Sequence, residues 1–254
     1  MKCLLCYNII KEYSDGEYMR YVMSDPHGEM DLFLALLNKI NFSEKDVLYI
    51  CGDIIDKGKR PIELLRFVMS KQNIHTIMGN HEQMFLKYYH SLCENCREDF
   101  DAVLNKLREY FPEDGYLLDW TVVDFIESLP YFIEKDDFIC VHAGLPLDEN
   151  GCPLPPSVVD ENILVNDRRF SGPTLVSRGE KCVFFGHTQT NGIADDAKIR
   201  ASRHRDRAPV GTVRDYYKIH LDTGAWVTGT MGCFCIDTCR AYYVDKRNND
   251  LTAN

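Results

Sequence analysis

Five short motifs occur in a fixed order along the chain: Ser24-Asp25-Pro26-His27-Gly28, Gly52-Asp53-Ile54-Ile55-Asp56, Gly79-Asn80-His81-Glu82, Val141-His142-Ala143-Gly144 and Gly186-His187-Thr188. Each holds a carboxylate, imidazole or amide that can ligate a divalent ion, and each follows an apolar run. Asp25, Asp53, Asn80, His142 and His187 sit where those runs end, with His27 two residues after the first. Such a mixed donor set suits Mn, Fe or Zn better than Ca or Mg, which prefer oxygen alone. The motifs contain no Cys, so a thiolate site is not indicated. Taken singly, each residue has a plain structural reading. An Asp before a turn caps it, an Asn favours a left-handed turn, and a His before Gly packs locally. The argument for chemistry is that five such positions recur, in order, each at the end of an apolar run.

The elements that must position these residues follow from periodicity. Arg20–Met23, Val47–Cys51 and Ile74–Met78 read as short buried strands. Met30, Phe33, Leu34 and Leu37 recur at helical spacing between the first two. Pro61 opens a helix between the second and third, with Ile62, Leu65 and Val68 on its apolar face. That β-α-β-α-β alternation predicts an α/β fold with a largely parallel sheet, whose ligands gather beyond the carboxyl ends of the strands. Residues 82–130 carry helical periodicity and read as an insertion walling one side of a cleft. Further strands are expected at 138–141, 182–185, 217–221, 233–236 and 241–244. Residues 145–181 are Pro-rich and loop-like. Residues 193–215, including the basic stretch 198–207, read as a long exposed loop that is either solvated or steers an anionic ligand. Residues 1–18 look like an N-terminal extension, and 1–254 is expected to form a single domain.

Composition bounds the function. The chain has 254 residues, 45% hydrophobic and 27% charged, enough for a large core. A net charge of −10 argues against general binding of nucleic acid or anionic membrane, though bound cations can reverse the local field. No apolar stretch approaches the roughly 18 residues of a membrane span. Lys11 and Glu12 interrupt the first apolar run, which therefore does not read as a signal peptide. The 11 Cys, several in expected core strands, read as reduced thiols of a cytoplasmic protein. Cys3-x-x-Cys6 and Cys93-x-x-Cys96 lack the flanks of a zinc finger.

The five motifs together resemble the calcineurin-like metallophosphoesterases, and within them the bacterial-type serine/threonine phosphoprotein phosphatases. That family reads D-x-H-G, G-D-x-x-D-R-G, G-N-H-E, H-A-G and G-H-T. The resemblance covers roughly residues 20–225. It implies a central β-sandwich flanked by helices and a dinuclear metal site. One ion would be bound by Asp25, His27 and Asp53. The second would be bound by Asp53, Asn80, His142 and His187, with Asp53 bridging, and Mn is the expected metal. In such a site a metal-bridging water attacks phosphorus in line, with no phospho-enzyme intermediate. His81 is the expected general acid for the leaving alkoxide, and Asp56 the carboxylate that holds and charges its imidazole.

The chain departs from the pattern at the phosphate-gripping cations. Lys57 replaces the usual Arg, and a lysine makes no planar bidentate contact. Arg60 is a candidate for compensation. A second phosphate Arg falls in Asn166-Asp167-Arg168-Arg169-Phe170, where Arg168 is preferred and Arg169 held in reserve. Asn80 and His81 would complete the phosphate contacts. The expected reaction is hydrolysis of phosphate monoesters, with a phosphoserine or phosphothreonine protein as substrate. The alternative on the same core is hydrolysis of dinucleoside polyphosphates. Asp56 and Glu82 weigh against it, because those relatives usually lack the first carboxylate and carry Asp in place of the second. A binding module without turnover is a third possibility, resting on Lys57 and the altered Arg stretch.

Overall fold

The computed structural model describes residues 18–96, 99–172, 176–193 and 196–248. Strands β1 (Arg20–Met23), β2 (Val47–Ile50) and β3 (Ile74–Thr76) run parallel, joined by helices α1 (Met30–Lys39) and α2 (Pro61–Met69). Parallel neighbours require such crossovers, and Pro61 at the start of α2 has no N–H to leave unpaired. Met23 pairs with Ile50 and Ile50 with Thr76. The chain therefore leaves all three strands at one edge, where the first three motifs begin.

The largely parallel sheet read from periodicity is only part of what forms, and the β-sandwich that the family resemblance implies is the architecture found. Among the described residues there are two five-stranded sheets, each mixed. β9 (Thr230–Cys235) pairs antiparallel with β1, and β10 (Arg240–Asp245) with β9. The second sheet has β5 (Phe138–Val141), β6 (Cys182–Phe185) and β8 (Tyr216–His220) in parallel. Antiparallel edges β4 (Phe132–Glu134) and β7 (Arg200–Arg203) flank them. The reason is burial on both faces. Val22, Tyr49 and Cys51 pack inward against Phe138, Cys140, Phe184 and Ile219, forming a core between the sheets. Met23, Leu48 and Ile50 point outward onto Phe33, Leu36 and Leu65 beneath the helices. A strand apolar on both faces reads alike in a parallel sheet and in a sandwich, so periodicity alone could not separate them. Cys51, Cys140 and Cys182 are buried in the inter-sheet core as free thiols.

The helical segment starts earlier than its periodicity indicates. α3 spans Asn80–Cys96, so Asn80, His81 and Glu82 form its first turn. α4 (Phe100–Glu109) and α5 (Trp120–Glu127) follow, capped by Asp99 and Asp119, whose side chains accept from Ala102 N (3.0 Å) and Thr121 N (3.0 Å). Phe85, Leu107 and Val122 bury this layer in the same core that α1 and α2 form over the first sheet.

Residues 193–215 are not wholly loop. β7 lies within them, its Arg203 guanidinium 5.2 Å from the Tyr216 ring. The alternating Arg200-Ala-Ser-Arg203 pattern hides an edge strand, because the long Arg side chains cover their neighbours while remaining wet. Among the described residues, the Pro-rich stretch 145–181 contains one short α-helix, α6 (Glu161–Asn166), capped by Asp160. The 1–18 extension, apart from Tyr18, and the pair Cys3 and Cys6 lie outside the described residues. No helix among the described residues is long and apolar enough to cross a membrane.

Candidate metal centre

The loops after β1 and β2 are zipped together through their backbones. His27 N donates to Asp53 O (3.0 Å), Gly28 N to Ile54 O (2.8 Å) and Gly58 N to His27 O (2.8 Å). Asp25, His27, Asp53, Asp56, Lys57 and His187 all adopt positive φ, between 43° and 69°. Left-handed non-glycine residues cost on the order of 1 kcal/mol each and persist only where their surroundings over-determine them. Glycine permits two close approaches here. A Cβ on Gly79 would collide with the Asp53 carboxylate, and one on Gly186 with Ser24 and Asp25.

Asp53 is the hub. Its Oδ2 lies 3.4 Å from His142 Nε2, 3.6 Å from His27 Nε2 and 3.9 Å from His81 Nε2. Asn80 Oδ1 sits 2.9 Å from His142 Nε2 and 2.8 Å from His187 Nδ1. Among the described residues, two groups therefore have ligand atoms in mutual reach: His27, Asp53 and His81, and Asp53, His142 and His187. Asp53 is common to both. Asp25 belongs to neither. Its carboxylate accepts His187 N at 3.1 and 3.2 Å and pairs closely with the Ser24 hydroxyl.

The donor chemistry fits a divalent ion. His27 and His142 each place Nδ1 on a backbone carbonyl, Ile55 O at 3.0 Å and Cys51 O at 2.7 Å. That contact makes Nδ1 the donor and aims Nε2 of each ring at Asp53, where a cation, or on His142 a proton, is held between them. It is the outer-shell arrangement that orients metal-binding imidazoles. Burial keeps His27 below the ordinary histidine value, and burial with neighbouring His142 and Arg168 lowers His187 to about 4. Both are neutral, as ligands must be. The carboxylates crowd one another. Burial, then Asp222 and Asp53, raise Asp25 well above the ordinary range. Burial opposes charge on His142, but Asp53 and Asp25 outweigh it and push that imidazole up to about 10. A site that draws a proton onto a fully buried imidazole is one where a bound cation is stabilised.

His81 lies at the rim. Its Nδ1 is 2.7 Å from Asp56 Oδ2, and that oxygen also accepts from Tyr110 OH at 3.3 Å. Burial disfavours the imidazolium, but the Asp56 hydrogen bond and the charges of Asp53 and Asp56 prevail and raise the His81 pKa. Nε2 is left facing the Asp53 side.

A cleft of about 380 Å³ opens onto the cluster, lined by His27, Asp53, Asn80, His81 and His187 together with Lys57 and Arg168. Arg169 turns away and binds Asp167 through two nitrogens, and Arg60 is held by Asp31 and Glu63. Neither lines the cleft. The basic segment borders a different cavity, of about 590 Å³, that shares no residue with it.

The parts played by three residues were not apparent in the sequence. Glu82 is fully buried and accepts Asp53 N (2.9 Å), Ile54 N (2.8 Å), Ile55 N (3.1 Å) and Gly79 N (3.0 Å). It supports the Asp53 turn and does not line the cleft, so its identity carries little information about substrate. Asp222, buried at the end of β8 and raised to about 7 chiefly by burial, lines the cleft. Its signal was available, since it is one more acid at a strand end. Trp226 also lines the cleft, with Lys57 Nζ 5.5 Å from its ring centroid, and no motif marks it.

This is the architecture of a metal-dependent phosphoesterase: a two-sheet sandwich with His, Asp and Asn donors gathered at the strand ends. Residues 20–218 match the family model of the calcineurin-like phosphoesterases, and the chain belongs to that family. Among relatives, it is 26% identical over 144 residues to the asymmetrical bis(5'-nucleosyl)-tetraphosphatase PrpE of Bacillus velezensis, covering 51% of this chain and 58% of that one. It is 33% identical over 128 residues to the symmetrical bis(5'-nucleosyl)-tetraphosphatase of Chromobacterium violaceum, covering 49% and 43%. The chain thus spans about half the length of these curated relatives. Its fold is similar to the crystal structure of a proposed diadenosine tetraphosphatase (TM-score 0.63, 17% identity, 91% of this chain and 94% of that one). It is also similar to a cold-active protein-tyrosine phosphatase of a Shewanella species (TM-score 0.55, 16% identity, 90% and 78%). The chain is therefore a member of the metallophosphoesterase family whose His and Asp cluster suits a divalent metal. The relatives' names point away from the serine/threonine branch that Asp56 and Glu82 suggested.

Proposed function

We propose that this protein hydrolyses dinucleoside polyphosphates, cleaving a phosphoanhydride bond at the Asp53-centred cluster. The observation that carries the choice of substrate is that the sequence relatives are bis(5'-nucleosyl)-tetraphosphatases of both the symmetrical and asymmetrical kind. The cleft agrees with it. Its volume lies within the small-molecule range, and two cations, Lys57 and Arg168, border the cluster where a polyphosphate chain would extend.

In this reading His27 and Asp53 would hold one divalent ion with Asp25, and Asp53, Asn80, His142 and His187 would hold the other. Mn is the preferred metal, with Fe or Zn as alternatives. Bound there, the ions supply charge neutralisation of phosphate and an activated water. The chain's own residues do the rest. Asn80 and His81 contact the phosphoryl group being attacked. Lys57 and Arg168 neutralise the leaving phosphates, Lys57 as a point charge and Arg168 as a planar donor. Asp56 keeps His81 protonated and turns its Nε2 toward the leaving oxygen, where it can deliver a proton.

One observation favours a second reading. The 2.7 Å His81–Asp56 pair provides a proton donor that an alkoxide needs far more than a nucleotide phosphate does. This is the feature expected for phosphoserine or phosphothreonine hydrolysis. The deciding experiment strips metal with EDTA, restores Mn, Fe, Zn, Mg or Ca in turn, and measures kcat/KM for diadenosine tetraphosphate and a phosphoserine peptide. Preference for the dinucleotide is expected with Mn. Preference for the peptide would establish the second reading. No turnover of either with metal bound would leave a binding module.

A further inference from the structure

We propose that Trp226 is a nucleobase-stacking platform that gives the cleft its selectivity for nucleotides over simple phosphates, an inference that rests on the dinucleotide reading. Trp226 belongs to a short helix, α7 (Ala225–Thr228), bounded by Gly224 and Gly229, both left-handed at φ 67° and 72°. Asp222 Oδ1 accepts Gly224 N at 2.8 Å, and the Thr228 hydroxyl donates to Thr223 O and Gly224 O, both at 3.0 Å. The turn that presents the indole is therefore held by its own hydrogen bonds and tied to the end of β8. Gln189 packs against it, since a Cβ on Gly224 would meet the Gln189 amide at about 3.2–3.3 Å.

Trp226 is 41% exposed, unusual for an indole on a pre-organised turn. It lines the same cleft as His27, Asp53 and His81. Ile193, also partly exposed, and Gln189 share that wall. Lys57 Nζ stands 5.5 Å from the ring centroid and borders the cluster as well. The cleft thus brings together a phosphate-handling centre, a cation lying over an indole ring, and an amide. A phosphate joined to a heterocyclic base has the matching combination of chemistry. Indole stacking accepts any base, and the Gln189 amide offers one donor and one acceptor for a base edge.

The test uses the metal-loaded protein with diadenosine tetraphosphate, a phosphotyrosine peptide, and glycerol phosphate, which has no ring. Trp226→Ala should raise KM for the dinucleotide about 10- to 100-fold, the range of a single lost base stack, while kcat falls less than about 3-fold. The ratio of kcat/KM for the dinucleotide over glycerol phosphate should fall at least about 10-fold, and Trp226→Phe should restore most of it. Fluorescence gives a readout without turnover. The chain has two Trp, so Trp120→Phe leaves Trp226 as sole reporter, and AMP should quench it saturably. Wild-type turnover of diadenosine tetraphosphate with an unchanged KM in Trp226→Ala overturns this inference and leaves the functional reading intact. Absence of wild-type dinucleotide turnover overturns the functional reading and this inference with it. Loss confined to a phosphotyrosine peptide would make Trp226 a platform for that ring and overturn the nucleobase assignment.

Discussion

Glu82 offers a sharp test of how the Asp53 turn is held. All four of its contacts are backbone donors, two on each oxygen: Ile54 and Ile55 on Oε1, Asp53 and Gly79 on Oε2. Burial and the charge of Asp53 raise its pKa, while those N–H groups oppose the rise. A protonated Glu82 would place its own O–H against donors and find no acceptor, so the carboxylate is the form the geometry accommodates. Glu82→Gln keeps the shape but sets an NH2 against two N–H groups. Each buried donor left without an acceptor costs about 1–3 kcal/mol, so the substitution should cost about 2–6 kcal/mol. That is a large part of a typical stability of about 5–15 kcal/mol. With a urea slope of about 3 kcal/mol/M, the unfolding midpoint should fall by about 0.7–2 M. Because Asp53 sits at φ 55° with its own N–H on Glu82, metal affinity should fall about 10- to 100-fold as well. Urea unfolding of the metal-free protein and calorimetric titration with Mn measure the two effects separately. A midpoint within about 0.3 M of wild type would show that Glu82 is protonated in the fold, and would refute the support assigned to it.

Other outcomes follow from the same geometry. Asp53→Asn should abolish activity and weaken binding of both ions together, because its carboxylate is common to the two donor groups; retained stoichiometric binding of two Mn would refute that bridging role. His81→Asn should slow alkyl phosphates by about 100-fold or more while affecting p-nitrophenyl phosphate much less, since general-acid help is worth about 100- to 10,000-fold and matters least for a good leaving group; equal losses would remove His81 from that role. Asp56→Asn should shift the alkaline limb of alkyl-phosphate turnover to lower pH. The carboxylate raises the His81 pKa, so without it the imidazolium is lost earlier as pH rises, and an unmoved limb would contradict the pairing. Lys218 Nζ donates to Phe170 O (3.0 Å) and Gly172 O (2.7 Å), and burial lowers its pKa to about 8. A lowered lysine pKa means the cost of its charge is present in full below pH 8 and relieved as pH rises toward 10.5. Wild type should therefore gain stability relative to Lys218→Met across that window, and a flat difference would show that the amine is not desolvated.

The sequence by itself determined the motifs that carry the candidate ligands, their order and their place at strand ends, because hydrophobic periodicity locates a strand and the next polar residue marks its exit. It also identified the His81 and Asp56 candidates, which the fold brings to 2.7 Å, and it preferred Arg168 to Arg169 for the cleft. Tertiary structure alone decided the rest. Whether strands apolar on both faces join one sheet or two depends on which faces meet, and β9 and β10 return antiparallel from the end of the chain to pair beside β1. Arg60 looked available until Asp31 and Glu63, on neighbouring helical turns, engaged it. Glu82 looked like a mark of substrate class until four backbone amides were found converging on it. Trp226 had no motif around it, and its proximity to Lys57, 169 positions earlier in the chain, arises only where separate loops meet at one edge of the sandwich. Local pattern encodes what each residue can do, while long-range packing selects its neighbours, and the chemistry of this site depends on both.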